Sequence, residues 1–396
     1  MADRSTRRLS PRRRRLLRRV VAILASWLGV PWLVVSAFLA AVVPGGWLTL
    51  LGLLGAVLVA VGVRVGGFFG KAYAGRALRT LLFIPLYYVI LFLPLLAIAA
   101  LLGALVGWPL GLPLEGGRAA IEVTAALLAL LAIAGYWGAS RLVVREVEVR
   151  HPKVPAAFDG LRIVQLSDLH VGPQTGRAFL ARIRREVERV RPDLIAFTGD
   201  MVDDYPDDAA RFVAEFGSLS APLGSFAVAG NHDVYAGWND VAATIRAAGV
   251  EVLENRGVVL RRGESAIWIG GTGDPAAIQM GSNPEVSPAI PDLDRTMADA
   301  PADAFRLVLA HNPALWEGLV ARGADLTLSG HTHHGQLSVP SLQWCLASPF
   351  LKYAMGRHAL GAAILYISPG TNYWGIPFRL GAWPEVTVVR LSAVSR

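Results

Sequence analysis

Cysteine is almost missing from this chain: Cys345 is the single instance in 396 residues. No intrachain disulfide can form, and no metal site here can be built on thiolates. Charge is scarce too, with Lys, Arg, Asp and Glu making up 17% of the residues. The basic excess sits at one end. Nine Arg against one Asp in residues 1–19 account for the whole net charge of +8, whereas residues 151–396 carry 21 basic and 25 acidic side chains. A surface built for nucleic acid is thereby excluded on charge grounds.

What the chain has in quantity is apolar length, at 54% hydrophobic residues concentrated in the first 140. Four stretches, at about 20–43, 47–66, 81–106 and 119–140, are long enough to cross a bilayer as helices, which takes roughly 20 residues each. Pro85 and Pro94 interrupt the third, as membrane helices tolerate. Trp32, Trp47, Trp108 and Trp137 lie near the ends, where an interfacial aromatic belt belongs. A buried helical core of a soluble domain would need polar outer faces that these segments lack.

Basic residues cluster in the tail, in the 64–80 loop (Arg64, Lys71, Arg76, Arg79) and at the exit (Arg141, Arg145, Arg150). The positive-inside bias then places both termini in the cytoplasm, with the larger half following. The expectation is a multi-pass protein of a plasma membrane. Arg7-Arg8 fits a twin-arginine export signal poorly, because the apolar run that follows is too long to be a cleaved leader. Glu122, near one end, is the only carboxylate within a span, which speaks for an anchor over a transporter.

Residues 141–159 form a linker with a first strand over 142–149, and 160–396 alternate strand and helix patterns. The spacing predicts helices at 176–191, 207–219, 239–248 and 313–322, and late strands at 265–270, 363–368 and 385–391. This alternation predicts an α/β fold, two sheets flanked by helices, after an all-α membrane bundle. Residues 274–303 lack periodicity and read as a long surface loop, the kind that forms lids. Trp344, Phe350, Leu351, Tyr353 and Met355 read first as ordinary core packing, and otherwise as an apolar groove or a membrane contact.

Five clusters of metal-binding residues each follow a strand-like apolar run: Asp168-Leu169-His170, Gly199-Asp200, Gly230-Asn231-His232-Asp233, His311-Asn312 and Gly330-His331-Thr332-His333. Ligands in open α/β folds bind at the carboxyl ends of strands. Four His, two Asp and one Asn converging there suffice for two divalent ions. Asp200 can place one carboxylate oxygen on each ion. Asp168 and His170 alternate around a packing Leu169, His331 and His333 around Thr332, and Asn231 adds a neutral oxygen. A hydroxide between two such ions is nucleophilic at neutral pH. Taken singly each piece is common turn chemistry; together and in this order they are not.

On these motifs the sequence resembles the calcineurin-like metallophosphoesterase superfamily, from about residue 160 to 391. Within it, the chain is most similar to a membrane-associated bacterial group, through Leu166–His170, Gly330–Gln336 and Pro384-Glu385-Val386. The resemblance implies a four-layer α/β/β/α sandwich. It implies one metal held by Asp168, His170, Asp200 and His333, and a second by Asp200, Asn231, His311 and His331. His232 would contact the phosphate and protonate the leaving oxygen, oriented by Asp233. Asp233 and Asp203 read equally as turn caps.

Two departures stand out. His334 replaces a Gly, which predicts a narrowed mouth or an added phosphate contact. Residues 368–374 differ from the group's Ser-Arg-Gly-Leu-Gly, so an anion-binding Arg is expected to be missing.

The reading is a membrane-anchored, dinuclear phosphodiesterase or pyrophosphatase. Its expected partners are the bilayer and a lipid or lipid-linked phosphoester, some members of the group cleaving UDP-diacylglucosamine, with no nucleic acid. Mn²⁺ is the expected metal, although such mixed N/O sites also accept Fe, Zn, Co or Ni. The alternatives are a tethered phosphomonoesterase or cyclic-nucleotide phosphodiesterase, and a non-catalytic sensor or carrier.

Overall fold

The computed structural model describes residues 11–40, 55, 73, 75–283 and 287–394. They form two compact units, Met1–Ile133 and Ala134–Arg396.

In the first unit, helix α1 spans Pro11–Ala40. It already begins inside the arginine-rich tail, and its apolar part is Ser26–Ala40. A π turn, Arg79–Phe83, runs into α2, Ile84–Gly107. Pro85 has no N–H to return to the preceding turn, which accounts for the widened helix just before it. A tight 3₁₀ turn, Trp108–Leu110, reverses the chain into α3, Pro113–Ala139. Gly103 and Gly116 let the α2 and α3 backbones touch, since a Cβ on either would meet the other's carbonyl. Among the described residues, buried apolar side chains here form two clusters, Val35, Leu93, Ala97, Ala100 and Ile121, and Phe83 with Leu86.

Two described helices, Arg79–Leu110 and Pro113–Ala139, are long and apolar enough to cross a membrane. The expected span at 47–66 lies outside the described residues, so four crossings are not visible here.

The second unit stacks two six-stranded sheets. The first comprises β1 (Val143–His151), β2 (Arg162–Leu166), β3 (Leu194–Phe197), β4 (Ser225–Ala227), β5 (Glu251–Val252) and the last strand, β14 (Glu385–Ala393). Its order is β1-β14-β2-β3-β4-β5, parallel except for β14 against β2. The second comprises β6 (Arg256–Arg262), β7 (Ser265–Gly271), β8 (Phe305–Leu309), β9 (Leu326–Ser329), β12 (Gly356–Leu360) and β13 (Ala363–Ile367), with a hairpin of β10 (Ser338–Val339) and β11 (Trp344–Cys345) apart from it. Its four central strands β13, β9, β8 and β7 are parallel, and its edges β12 and β6 are antiparallel.

Three apolar cores make the layers. Ile163, Leu194, Phe226, Ile267, Leu307 and Leu328 interlock between the sheets. The outer face of the first sheet is covered by α4 (Arg177–Val190), α5 (Asp208–Phe216) and α6 (Asn231–Ala247), through Leu180, Phe212 and Ile245 among others. Trp268, Val308, Met297 and Leu319 cover the second. The stack is therefore helix, sheet, sheet, helix. It aligns the carboxyl ends of β2, β3 and β4 with those of β8 and β9.

Three local expectations need correction. The helix predicted from residue 239 starts at Asn231 and is kinked at Gly237 (φ 119°). Residues 274–303 include the short helices Ala276–Gln279 and Leu293–Met297. Asn255 pins this stretch: its Nδ2 donates to the Pro288 and Ile290 carbonyls, and its Oδ1 accepts from the Gly273 and Asp292 amides. Finally, the 340–358 segment is mostly not core: Trp344, Phe350 and Leu351 are exposed, and Met355 is buried.

Candidate metal centre

The turns after the strands are wound tightly. Asp168, His170, Asp200, His331, His333 and His334 all adopt left-handed φ angles between 41° and 71°. Each such non-glycine residue costs on the order of 1 kcal/mol or more, and such strain gathers where a site over-determines the backbone. The glycines beside them are needed for approach. A Cβ at Gly230 would strike the Asp200 amide and carboxylate, and one at Gly330 would strike Ser167 and Asp168.

All seven expected ligands converge. His170 Nε2 lies 3.1 Å from His333 Nε2 and 3.7 Å from Asp200 Oδ2, while His333 Nε2 lies 3.3 Å from Asp168 Oδ1. On the other side, His311 Nε2 is 3.3 Å from Asp200 Oδ2 and 3.1 Å from Asn231 Oδ1, which is 2.7 Å from His331 Nδ1. Asp200 thus stands between the two groups. His232 joins them: its ring meets His170 edge-on at 4.7 Å, and its amide donates to Asp200 Oδ1 at 2.7 Å.

The donor set fits divalent cations. Burial, with like charge on neighbouring imidazoles, holds His170 well below its usual pKa and His331 down at about 4. Burial and the nearby Arg379 guanidinium hold His333 well below as well. These three rings are neutral near pH 7 and present lone pairs. Burial would raise the Asp200 carboxyl, but His311 and His232 outweigh it and keep Asp200 well below the carboxylate range. Burial disfavours a charged His311, yet Asp200 and Asp168 overcome that and raise it well above the usual value. The pocket therefore demands positive charge, which a metal ion would supply instead of a proton. His311 Nδ1 faces the Thr198 carbonyl at 2.8 Å, an arrangement that fixes the ring with Nε2 toward Asp200.

Sequence reasoning misplaced some supports. Of the two readings of Asp233, the structure shows the cap: its carboxylate accepts from the Gly230, Met201 and Val202 amides, capping α6 and tying it to the Asp200 turn, and it does not orient His232. This cap is why the helix begins at Asn231. Instead, His232 Nδ1 meets the Asp203 carbonyl at 2.8 Å. His334 is engaged by backbone instead of by the ligand cluster. Its buried ring sits between the Ile367 carbonyl and the Gly356 amide, and burial lowers its pKa to about 3.

Arg379 and Asn372 were not anticipated. Arg379 is fully buried and donates to the His333, Pro369, Asn372 and Ala382 carbonyls and to His333 Nδ1 at 2.8 Å. It braces the last turn of the site. Asn372 Nδ2 donates to the Leu169 carbonyl, steadying the first turn. Arg379 lies in no motif or periodic pattern that would have signalled it, and Asn372 only within the divergent 368–374 stretch, whose role the comparison with the family left open.

The calcineurin-like phosphoesterase family description matches residues 161–335. A metallophosphoesterase of Helicobacter pylori (strain J99) is 30% identical over 268 residues, 66% of this chain and 68% of that protein. The chain belongs to this family. A metallophosphoesterase of Bacillus subtilis is 29% identical over 67% of this chain and 93% of its own length. "Transmembrane protein with metallophosphoesterase domain" of Danio rerio is 32% identical over 67% of this chain. The chain spans 61% of that relative's length and 57% of its Bos taurus counterpart's.

Proposed function

We propose that the chain is a membrane-anchored, metal-dependent phosphoester hydrolase that takes two divalent ions, Mn²⁺ foremost, and acts on a lipid or lipid-linked phosphodiester or pyrophosphate. The observation that carries this reading is the convergence of seven ligand-type side chains from five strand ends around Asp200. Asp168, His170, Asp200 and His333 would hold one ion, and Asp200, Asn231, His311 and His331 the other. Such ions, when bound, supply Lewis acidity toward the phosphoryl oxygens and lower the pKa of water.

The protein's own groups do the rest. With Nδ1 committed to the Asp203 carbonyl, His232 turns Nε2 outward, where it can protonate a leaving oxygen. Burial acts against the protonated ring, but Asp200 and Asp203 raise its pKa. Tyr235 and Trp374 flank His232 at ring distances of 5.5 and 5.6 Å, and would exclude water on one side of a bound ester.

The lipid preference rests on the two apolar helices and on the exposed apolar residues near the site. The bias of basic residues toward the tail and the 64–80 loop supports a catalytic unit on the cytoplasmic side of a bacterial plasma membrane, reached by four crossings.

Detergent-purified full chain with Mn²⁺ should hydrolyse bis-p-nitrophenyl phosphate, and Asp200→Ala should not. Folded protein inert with every divalent ion would sink the proposal. Faster turnover of water-soluble than of micellar esters would sink its lipid part.

A further inference from the structure

Residues 339–351 (Val-Pro-Ser-Leu-Gln-Trp-Cys-Leu-Ala-Ser-Pro-Phe-Leu) contain no charged side chain. They are built around the β10–β11 hairpin, and they face outward. Leu342 is 72% exposed and Phe350 82%, with Val339, Trp344, Leu346 and Leu351 exposed beside them. Cys345 alone is fully buried, on Ala354 and Met355. Elsewhere the same unit dresses its surface in charge, as on α4, where Arg184–Glu188 and Arg189–Glu186 pair. An apolar patch of this kind marks a contact with an apolar partner.

The backbone says which partner. Ser338 N donates to the Leu380 carbonyl and Leu380 N to the Gln336 carbonyl, both at 2.9 Å, so the hairpin base is sewn to the loop at 376–383. That same loop holds the end of α3: Arg379 N donates to the Gly135 carbonyl at 2.9 Å. Gly135 lies against Phe378, and Gly138 against Trp383 and the Arg379 carbonyl. The apolar hairpin therefore emerges beside the end of a 27-residue apolar helix. Exposed Tyr136 and Trp137 mark that end, Arg141 sits over the Trp383 ring at 4.9 Å, and Lys352 follows the hairpin directly. Aromatic and basic residues in this arrangement belong to a membrane–water boundary. From the hairpin, the Gln336 side chain exchanges hydrogen bonds of 3.1 Å with the Trp374 amide and carbonyl, and the exposed Trp374 ring reaches His232.

We propose that residues 339–351 insert into the headgroup–acyl boundary of the bilayer that carries α3, holding the mouth of the metal centre against lipid headgroups. This rests on the membrane-anchored reading but not on the hydrolase reading.

The test uses the full chain in phosphatidylcholine–phosphatidylglycerol vesicles, with Cys345→Ser and a single fluorophore-labelled cysteine placed by Phe350→Cys, Leu130→Cys or Glu264→Cys. Should Cys345→Ser disturb folding by circular dichroism, Cys345→Ala serves in its place. Brominated lipid should quench the probes at 130 and 350 at least threefold more than the one at 264, and iodide should show the reverse order. Lipid quenching at 130 with iodide quenching at 350 overturns the insertion and leaves the anchor standing. Iodide quenching at both overturns anchor and insertion together. A probe at 350 shielded from both quenchers means a protein partner covers the hairpin, which overturns lipid as its occupant.

Discussion

The two units solve opposite problems with the same residue types. In the unit up to Ile133, Leu, Ile and Val side chains face outward along α2 and α3, while Ala97 and Ala100 are buried in a cluster with Val35, Leu93 and Ile121. In the unit from Ala134, Trp268, Trp316, Phe158 and Phe305 are fully buried, and several buried charged side chains, Asp168, Asp200, Asp233 and Arg379 among them, gather around the candidate metal centre. Burying apolar area from water drives the second arrangement. In the proposed bilayer that drive would be absent, and close backbone approach, as at Gly103 and Gly116, would hold the helices together. Residues 339–351 are the place where the second unit departs from its own rule.

The sharpest test of the contrast separates chemistry from anchoring. Asp200→Ala should lower bis-p-nitrophenyl phosphate hydrolysis by at least about a thousandfold, while alkaline carbonate should still leave the protein in the membrane fraction. Loss of both together would mean the units are not independent.

Next comes a buried aromatic. Trp268→Ala should destabilise the second unit by about 3–5 kcal/mol, read as an earlier unfolding transition by circular dichroism in detergent. An unchanged transition would contradict its place in the core.

One substitution at two exposed sites then compares the solvents directly. Leu130 is 64% exposed on α3 and Ile278 is 57% exposed in the second unit. Leu130→Arg should cost about 2.5–3.5 kcal/mol in a bilayer, lowering the membrane-inserted yield. Ile278→Arg should stay within about 0.5 kcal/mol. Equal tolerance would remove the case for lipid around α3.

The smallest effect is local. Asp292 Oδ1 caps the helix Leu293–Met297 by accepting from the Arg295 amide at 2.9 Å. Asp292→Ala should cost about 1 kcal/mol, seen as faster amide exchange at 293–297 with hydrolysis unchanged.

The convergence of the ligand-type residues was legible because it is stated in residue type and position: a strand-like run, a glycine or sharp turn, then His, Asp or Asn. Strand ends carry such information well, since alternation fixes which side chain leaves the sheet. Other features left an ambiguous trace or none. Gly-Asn-His-Asp reads as a turn, yet Asp233 folds back on three amides and makes it a helix start. Asn255 converts an aperiodic stretch into pinned short helices through bonds to residues more than 30 positions away. Arg379, alone in an apolar neighbourhood of sequence, becomes the brace of His333. Single long-range hydrogen bonds have no period, so no local pattern announces them.

By itself the sequence determined the division of labour: an apolar, nearly uncharged first part, and a second part whose strand ends hold an intact set of ligand-type residues. It could do so because hydropathy and alternation act over a few neighbouring residues. Tertiary structure alone decided that Asp200 stands between two groups of imidazoles and that His232 leans on a backbone carbonyl, not on Asp233. It also decided that the aromatics near residue 350 face outward, beside the end of α3. Those outcomes depend on which distant segments share a sheet edge or a loop, and chain connectivity does not encode that locally.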